Sequence, residues 1–434
     1  MSISIKAIEQ AQDLLDFIDV SPSSWHAVKN TAAQLESNGY EALRESDPWR
    51  LKKNGCYYVC RDGASIIAFA LGSKPLAETG FRIVGAHTDS PGLRLKPKSA
   101  HSSQGIAQLG VEVYGGPIIA TFTDRDLSLA GRVMVRNGDT IESHQIKLNQ
   151  SIVRLPNLAI HMNREVNEKG LLLNKQTGLP LIFGFAADSA EAHRHLTQAL
   201  ANELAINPID ILTWDLAVYD TQKGSLWGVN QDFIANSQLD NLASCHAAIT
   251  ALLATEKPAT TNICAFFDHE EVGSESATGA GGSFISDVIQ RISAFYQASE
   301  EDRLRSFANS FFISADMAHA FHPNHPSAYE PEHHAKINQG PVIKTNANQR
   351  YSTTADTAAR FIQLCKKANV PYQEYAHRTD LGCGSTIGPT IAAQLGMPTV
   401  DVGNPMWAMH SIRESAGVLD HGYMIEVLKQ HFQS

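Results

Sequence analysis

The feature that most constrains the fold is a set of four short apolar runs, 81–86, 261–267, 311–315 and 397–403, each followed by histidine or carboxylate residues. Runs of this length, rich in β-branched and aromatic residues, read as buried strands. Helical patterns at 5–18, 24–37, 283–298, 355–368 and 424–432 alternate with them, so the expected fold class is α/β, a sheet covered by helices. Sheets of that kind place ligands and chemistry at the carboxyl ends of their strands. The residues that follow the runs are therefore candidates for one shared site.

The 81–86 run passes into His87-Thr88-Asp89. Histidine is the commonest metal-ligating side chain, and an acid two residues on can orient the ring through its other nitrogen; a plain turn is the alternative. The 261–267 run passes into Asp268-His269-Glu270-Glu271. Adjacent carboxylates repel and resist burial, so one suits a cation and the other proton transfer, unless the pair is a solvated turn. The 311–315 run ends in Asp316, with His319 and His322 close behind, although Asp at a strand end also forms turns. The fourth run leads to His410, which sits near Trp407 and Met409 and reads equally as a core histidine. Asp240 opens a helical stretch, 243–255, either as a ligand or as a helix N-cap. Together His87, Asp240, Glu271, Asp316 and His410 suit two divalent ions sharing a bridging carboxylate, with Glu270 left over. Nitrogen and oxygen ligands without thiolates favour catalytic zinc, with manganese or cobalt as alternatives.

These segments, His87-Thr88-Asp89-Ser90-Pro91, Leu239-Asp240-Asn241, Asp268-His269-Glu270-Glu271-Val272-Gly273-Ser274, Ser314-Ala315-Asp316-Met317-Ala318-His319 and Met409-His410-Ser411-Ile412-Arg413-Glu414, resemble in this order the aspartyl aminopeptidase family of co-catalytic zinc exopeptidases. The resemblance implies a zinc-exopeptidase-like mixed sheet in which Asp240 bridges both ions. His87 and Asp316 would complete one set of ligands, and Glu271 and His410 the other. Glu270 would be the general base, Asp89 would orient His87, and the Asp240-Asn241 peptide would be cis. The resemblance also implies substrates beginning with Asp or Glu, with Lys344 meeting the acidic side chain. Tyr351 is a candidate hydrogen-bonding neighbour of Lys344, and His319 and His322, with the five ligand positions filled, are candidate pocket or supporting residues, a purely structural role being the alternative. Lys344 otherwise reads as a solvated lysine at a strand end. Rival readings are another two-metal hydrolase, such as a deacylase or a leucine-type aminopeptidase, and a non-enzymatic assembly held by metals.

Between 91 and 229 the texture changes. Val111-Glu112-Val113-Tyr114 alternates, 127–129 and 133–135 are β-like, and Asn137-Gly138 signals a hairpin. The expected division is a catalytic domain from 1–90 and 230–434 and a β-rich domain at 91–229. The resemblance makes the latter a dimerisation domain, on which twelve-subunit particles are built. It further implies that His161, in Ser151-Ile152-Val153-Arg154-Leu155-Pro156-Asn157-Leu158-Ala159-Ile160-His161, is lent to a neighbouring subunit's active site to stabilise an oxyanion. A surface histidine in a hairpin is the alternative.

With 35 Lys and Arg against 45 Asp and Glu, the net charge of -10 repels acidic peptides at long range, so any preference for them needs local positive charge. No basic patch for nucleic acid and no run long enough to cross a membrane stands out, and Asp13, Asp16 and Asp19 interrupt the apolar faces that a signal peptide would need. The six scattered cysteines fit a reduced, cytoplasmic protein. The Gly382-Cys383-Gly384-Ser385-Thr386-Ile387-Gly388 run lacks the context of a dinucleotide site and reads as a loop that starts a helix. The expected partners are peptides and further copies of the chain.

Overall fold

The computed structural model describes residues 3–434. Contacts divide it into two compact units, one built from the chain up to Asp89 with Gly224–Met409 and Glu414–Ser434, the other from Ser90–Lys223 with His410–Arg413. The second unit stops short of the expected boundary at 229, because Ser225–Trp227 pairs with Phe233–Asn236 inside the first unit.

The first unit is organised by a nine-stranded mixed sheet. From edge to edge its strands are Glu41–Leu43, Cys56–Arg61, Ser65–Ala70, Thr261–Phe267, Phe81–His87, Phe311–Ala315, Thr399–Gly403, Val342–Thr345 and Gln373–Ala376. The four runs singled out in the sequence are the four central neighbours, and all three pairings among them are parallel. Their carboxyl ends therefore share one edge, with Phe267 opposite His87 in register. Alternation along a strand sends side chains to opposite faces. Phe81 and Ile83 pack with Phe284, Ile285 and Ile391 on one side. Val84 and Ala86 pack with Ala247, Ile249, Phe361 and Leu428 on the other.

Most helices fall where their apolar periodicity places them, at Ile5–Asp19, Ser24–Ser37, Phe284–Phe295 and Ala355–Ala368. The last helix is longer than its pattern: it runs Val418–Phe432, not from 424. Its first turns hold Asp420, His421 and Gly422, which break the apolar signal, yet Asp420 is buried and accepts N–H groups of Asn338 (2.6 Å) and Gly340 (2.8 Å). After the glycine-rich loop, Thr386 caps the helix Ile387–Leu395 by accepting the Gly388 N–H. A five-stranded sheet in the same unit joins Ser225–Trp227, Phe233–Asn236, Glu414–Gly417, Pro405–Trp407 and Ala318–His319.

The second unit is a six-stranded antiparallel sheet with the helix Ser189–Leu204, whose Leu196 and Leu200 enter its core. The two β-like pieces expected at 127–129 and 133–135 are one strand, Leu127–Asn137, paired with Thr140–Lys147 through a tight turn at Gly138 and Asp139. Between Lys147 and Leu181 the chain has little regular structure and exposes Leu158, Met162 and Leu172.

One glycine is fixed by close approach. A β-carbon at Gly403 would lie 1.7 Å from the Asp316 carbonyl oxygen. Gly403→Ala should therefore push the Asp316 backbone aside and lower stability by about 1–3 kcal/mol. Chemical denaturation reads this as a lower midpoint, and an unchanged midpoint would mean that the two strand ends have room to part.

Candidate metal centre

His87 ends its strand almost fully buried, and the neighbouring strand ends bring carboxylates to its ring. Its Nε2 lies 3.4 Å from Asp240 Oδ1, 3.5 Å from Asp316 Oδ1 and 3.9 Å from Glu270 Oε2. His87, Asp240 and Asp316 each offer a ligand atom within 4.8 Å of the others, and so do His87, Glu270 and Glu271. Burial alone would lower the pKa of His87, but Asp240, Asp316, Asp89 and Glu270 outweigh it and raise it well above the usual imidazole value. Glu270 is raised well above the carboxylate range by burial, and Asp316, Glu271 and Asp89 add to the rise while His87 opposes it. A buried group of nitrogen and oxygen donors under this much negative field suits a divalent cation such as zinc. The residues fit the metal.

Asp240 does not sit in regular helix. It and Asn241 have non-helical backbone angles at the head of Leu239–Leu253, and the peptide bond between them is cis. The Asp240 N–H donates to Glu414 Oε2 (3.0 Å), and Asn241 Nδ2 donates to the Ala315 carbonyl (2.9 Å), which ties this turn to the strand end before Asp316. Glu414 is thus a supporting residue that the site reading left without a task. Its signal was burial of a charge in the strand after His410, which a sequence does not display.

Asp89 holds more than the His87 ring. The His87 Nδ1 is closer to the Asp89 main-chain carbonyl, at 3.0 Å, than to its carboxylate, at 3.4 Å. The carboxylate also accepts the backbone N–H groups of Glu270 and Glu271, each at 3.1 Å. Asp268 is held in turn by Ser24 Oγ (2.8 Å) and Ser65 Oγ (2.9 Å). The acidic pair therefore stands on a braced turn, not a loose solvated one.

Lys344 is 2 % exposed, which overturns the solvated alternative. Its ammonium donates to the Asp316 carbonyl (3.1 Å), Asp316 Oδ2 (3.4 Å) and the Met317 carbonyl (3.1 Å). An ammonium has three N–H groups, so all are directed at this segment. Tyr351 was expected as a hydrogen-bonding neighbour, but it presents its ring face, 5.0 Å from Lys344 Nζ, while its hydroxyl pairs with Cys383. Burial, reinforced by Lys344 and His377, lowers His319 to about 4 and keeps its ring neutral.

Two expected residues fall in the second unit. His410 belongs to the short segment grouped with the second unit, where its Nδ1 is 3.1 Å from the Gly116 carbonyl. His161 is exposed in a turn of the second unit, not in a hairpin.

The sequence model of the family described as aminopeptidase I zinc metalloprotease (M18) matches residues 17–432. A probable M18 family aminopeptidase 2 of Ectopseudomonas mendocina is 47% identical over 98% of each chain. Among solved structures, a chain of the Ape4 and Nbr1 complex superposes with a TM-score of 0.95 at 38% identity, covering 100% of this chain and 88% of the other. A chain of the S. cerevesiae mApe1 dodecamer gives 0.85 at 27% identity, covering 97% and 96%.

Because the Asp89 carboxylate fixes the turn that carries Glu270 and Glu271, Asp89→Asn should lower zinc affinity by about 10- to 100-fold. Competition against a chromogenic chelator measures it. Wild-type affinity in the variant would show that the two backbone contacts do not control the site.

Proposed function

The chain belongs to the M18 aminopeptidase family of zinc metalloproteases, and we propose that it removes Asp or Glu from the amino terminus of peptides at a dinuclear metal site. The observation that carries this reading is the buried group around His87 with a fixed ammonium, Lys344, directly behind Asp316. His87 and Asp316 would hold one ion, Glu271 and His410 the other, and Asp240 both. Zinc is the first choice, with manganese or cobalt as alternatives. When bound, such ions acidify water and polarise the scissile carbonyl.

Glu270 then has no ligand task. It takes the proton from the attacking water and returns it to the departing amine, so one carboxylate serves as base and then as acid. Its elevated proton affinity suits that exchange. Lys344 contributes positive charge to an acidic first side chain, not a hydrogen bond of its own, since its N–H groups are engaged. Neutral His319 and the Tyr351 ring border the same place.

Assembly is the second part of the reading. Leu158 (69%), Met162 (75%) and Leu172 (85%) expose large apolar surface on one irregular stretch. Exposed apolar clusters mark interaction sites. The partner we assign is another copy of the chain, in a dodecamer built from dimers, with His161 lent across to steady the oxyanion. The six free cysteines favour the cytoplasm, which cell fractionation would check.

Glu270→Gln should keep its metal and lose roughly a hundred- to ten-thousandfold in kcat. Full turnover with metal retained would remove Glu270 from the chemistry. The reading as a whole is tested with Asp-, Glu-, Leu- and Lys-p-nitroanilide, each with chelator and with zinc, manganese or cobalt restored. Expected is metal-dependent cleavage of Asp and Glu, abolished for Asp by Lys344→Glu and strongly reduced in an assembled His161→Phe variant. Cleavage of Leu instead would favour a leucine-type aminopeptidase, and unchanged kinetics in either variant would withdraw that residue.

A further inference from the structure

A cavity of about 670 Å³ opens at the carboxyl ends of Val342–Thr345 and Gln373–Ala376, and the residues around it include Arg350, His377 and Arg378 but no aspartate or glutamate. The lining thus runs against the net charge of the chain, which is -10. Arg378 is committed to Asp380 and to the Ser327 carbonyl. The Arg350 guanidinium has no ion-pair or hydrogen-bond partner among the described residues. His377 is fixed through Nδ1 by the Tyr375 hydroxyl at 2.7 Å, while its buried Nε2 has no partner. A hydroxyl that donates to Nδ1 leaves the ring proton on Nε2, a donor without an acceptor among the described residues.

The cavity also lies next to the metal-binding group within the same unit. Thr345 lines it and directly follows Lys344, whose ammonium holds Asp316. The His377 ring is 6.1 Å from the His319 ring. The cavity therefore adjoins the place proposed for the first residue of a peptide.

We propose that this cavity binds a second carboxylate of the peptide substrate, one that lies beyond the first residue, through Arg350 and His377. It rests on the aminopeptidase reading but not on the preference for an acidic first residue. The carboxylate comes either from an acidic side chain at the second or third position or from the carboxyl terminus of a short peptide. Both present the same planar anion to a guanidinium fork.

The test uses zinc-loaded enzyme and three peptides that share the first residue that the enzyme cleaves best. One ends as Ala-Ala-amide, one as Ala-Ala with a free carboxyl terminus, and one as Glu-Ala-amide. Wild type should favour at least one charged peptide over the neutral amide by roughly five- to tenfold in kcat/KM, chiefly through KM. Arg350→Gln and His377→Phe should erase that ratio, and Arg350→Lys should restore part of it. The peptide whose ratio collapses identifies the source of the carboxylate. Arg305→Gln removes a positive charge at a separate cavity and should leave the ratio intact. A wild-type ratio near one, or a ratio that survives both Arg350→Gln and His377→Phe, overturns the proposal. Comparison of Asp-Ala-Ala-amide with Leu-Ala-Ala-amide reports separately on the acidic first residue, so the two ideas fail independently.

Discussion

Packing Asp240, Glu270 and Asp316 around one buried imidazole is electrostatically unfavourable, and the rest of the catalytic unit is arranged to impose it. Carboxylates in low dielectric repel one another or take up protons. The second response is favoured here, since the proton affinities of Glu270 and of His87 are both raised. Four parallel strands ending on one edge force the residues together, and core burial on both faces of the sheet stabilises that geometry against their repulsion. A divalent cation relieves the repulsion, so the affinity of such a site for metal is in part stored in the fold of the protein without it.

Main-chain contacts do most of the positioning. The Asp89 carboxylate grips two N–H groups of the acidic turn, Glu414 grips that of Asp240, and Lys344 grips two carbonyls of the Asp316 segment. Each interaction aims a side chain by fixing the backbone beneath it. Gly403 belongs to the same scheme, because the Asp316 backbone lies where a β-carbon at that position would stand.

The strands and the acidic or histidine residues after them were legible because apolar runs bounded by polar residues report strand ends directly. The helix at 418–423 was not, since Asp420 and His421 are buried polar groups whose partners come from distant residues. Lys344 shows the same limit. Its neighbours in sequence suggest a strand end in water, while its actual surroundings come from the Asp316 segment across the sheet. The full surroundings of Asp89 were not legible either, because a sequence reading could see the histidine two residues away but not the two backbone amides brought by another strand. The division between units was blurred at 410–413 for a related reason: a four-residue excursion leaves no compositional trace.

Net charge and local charge bear on substrate choice at different ranges. At physiological salt the field of exposed charges decays over about 8 Å, so the net charge of -10 slows the approach of an acidic peptide more than it weakens binding at contact. Within contact range, fixed positive groups decide. Lys344 is immobilised by its three oxygen partners and loses little freedom when an anion arrives, which makes its charge more effective than that of a solvated lysine. The Arg350 guanidinium has no partner among the described residues and, as a proposed anion contact, would be ordered by its ligand. On the proposed reading, the buried ammonium therefore sets which first residue is accepted, while the exposed guanidinium tunes affinity among the peptides that carry it.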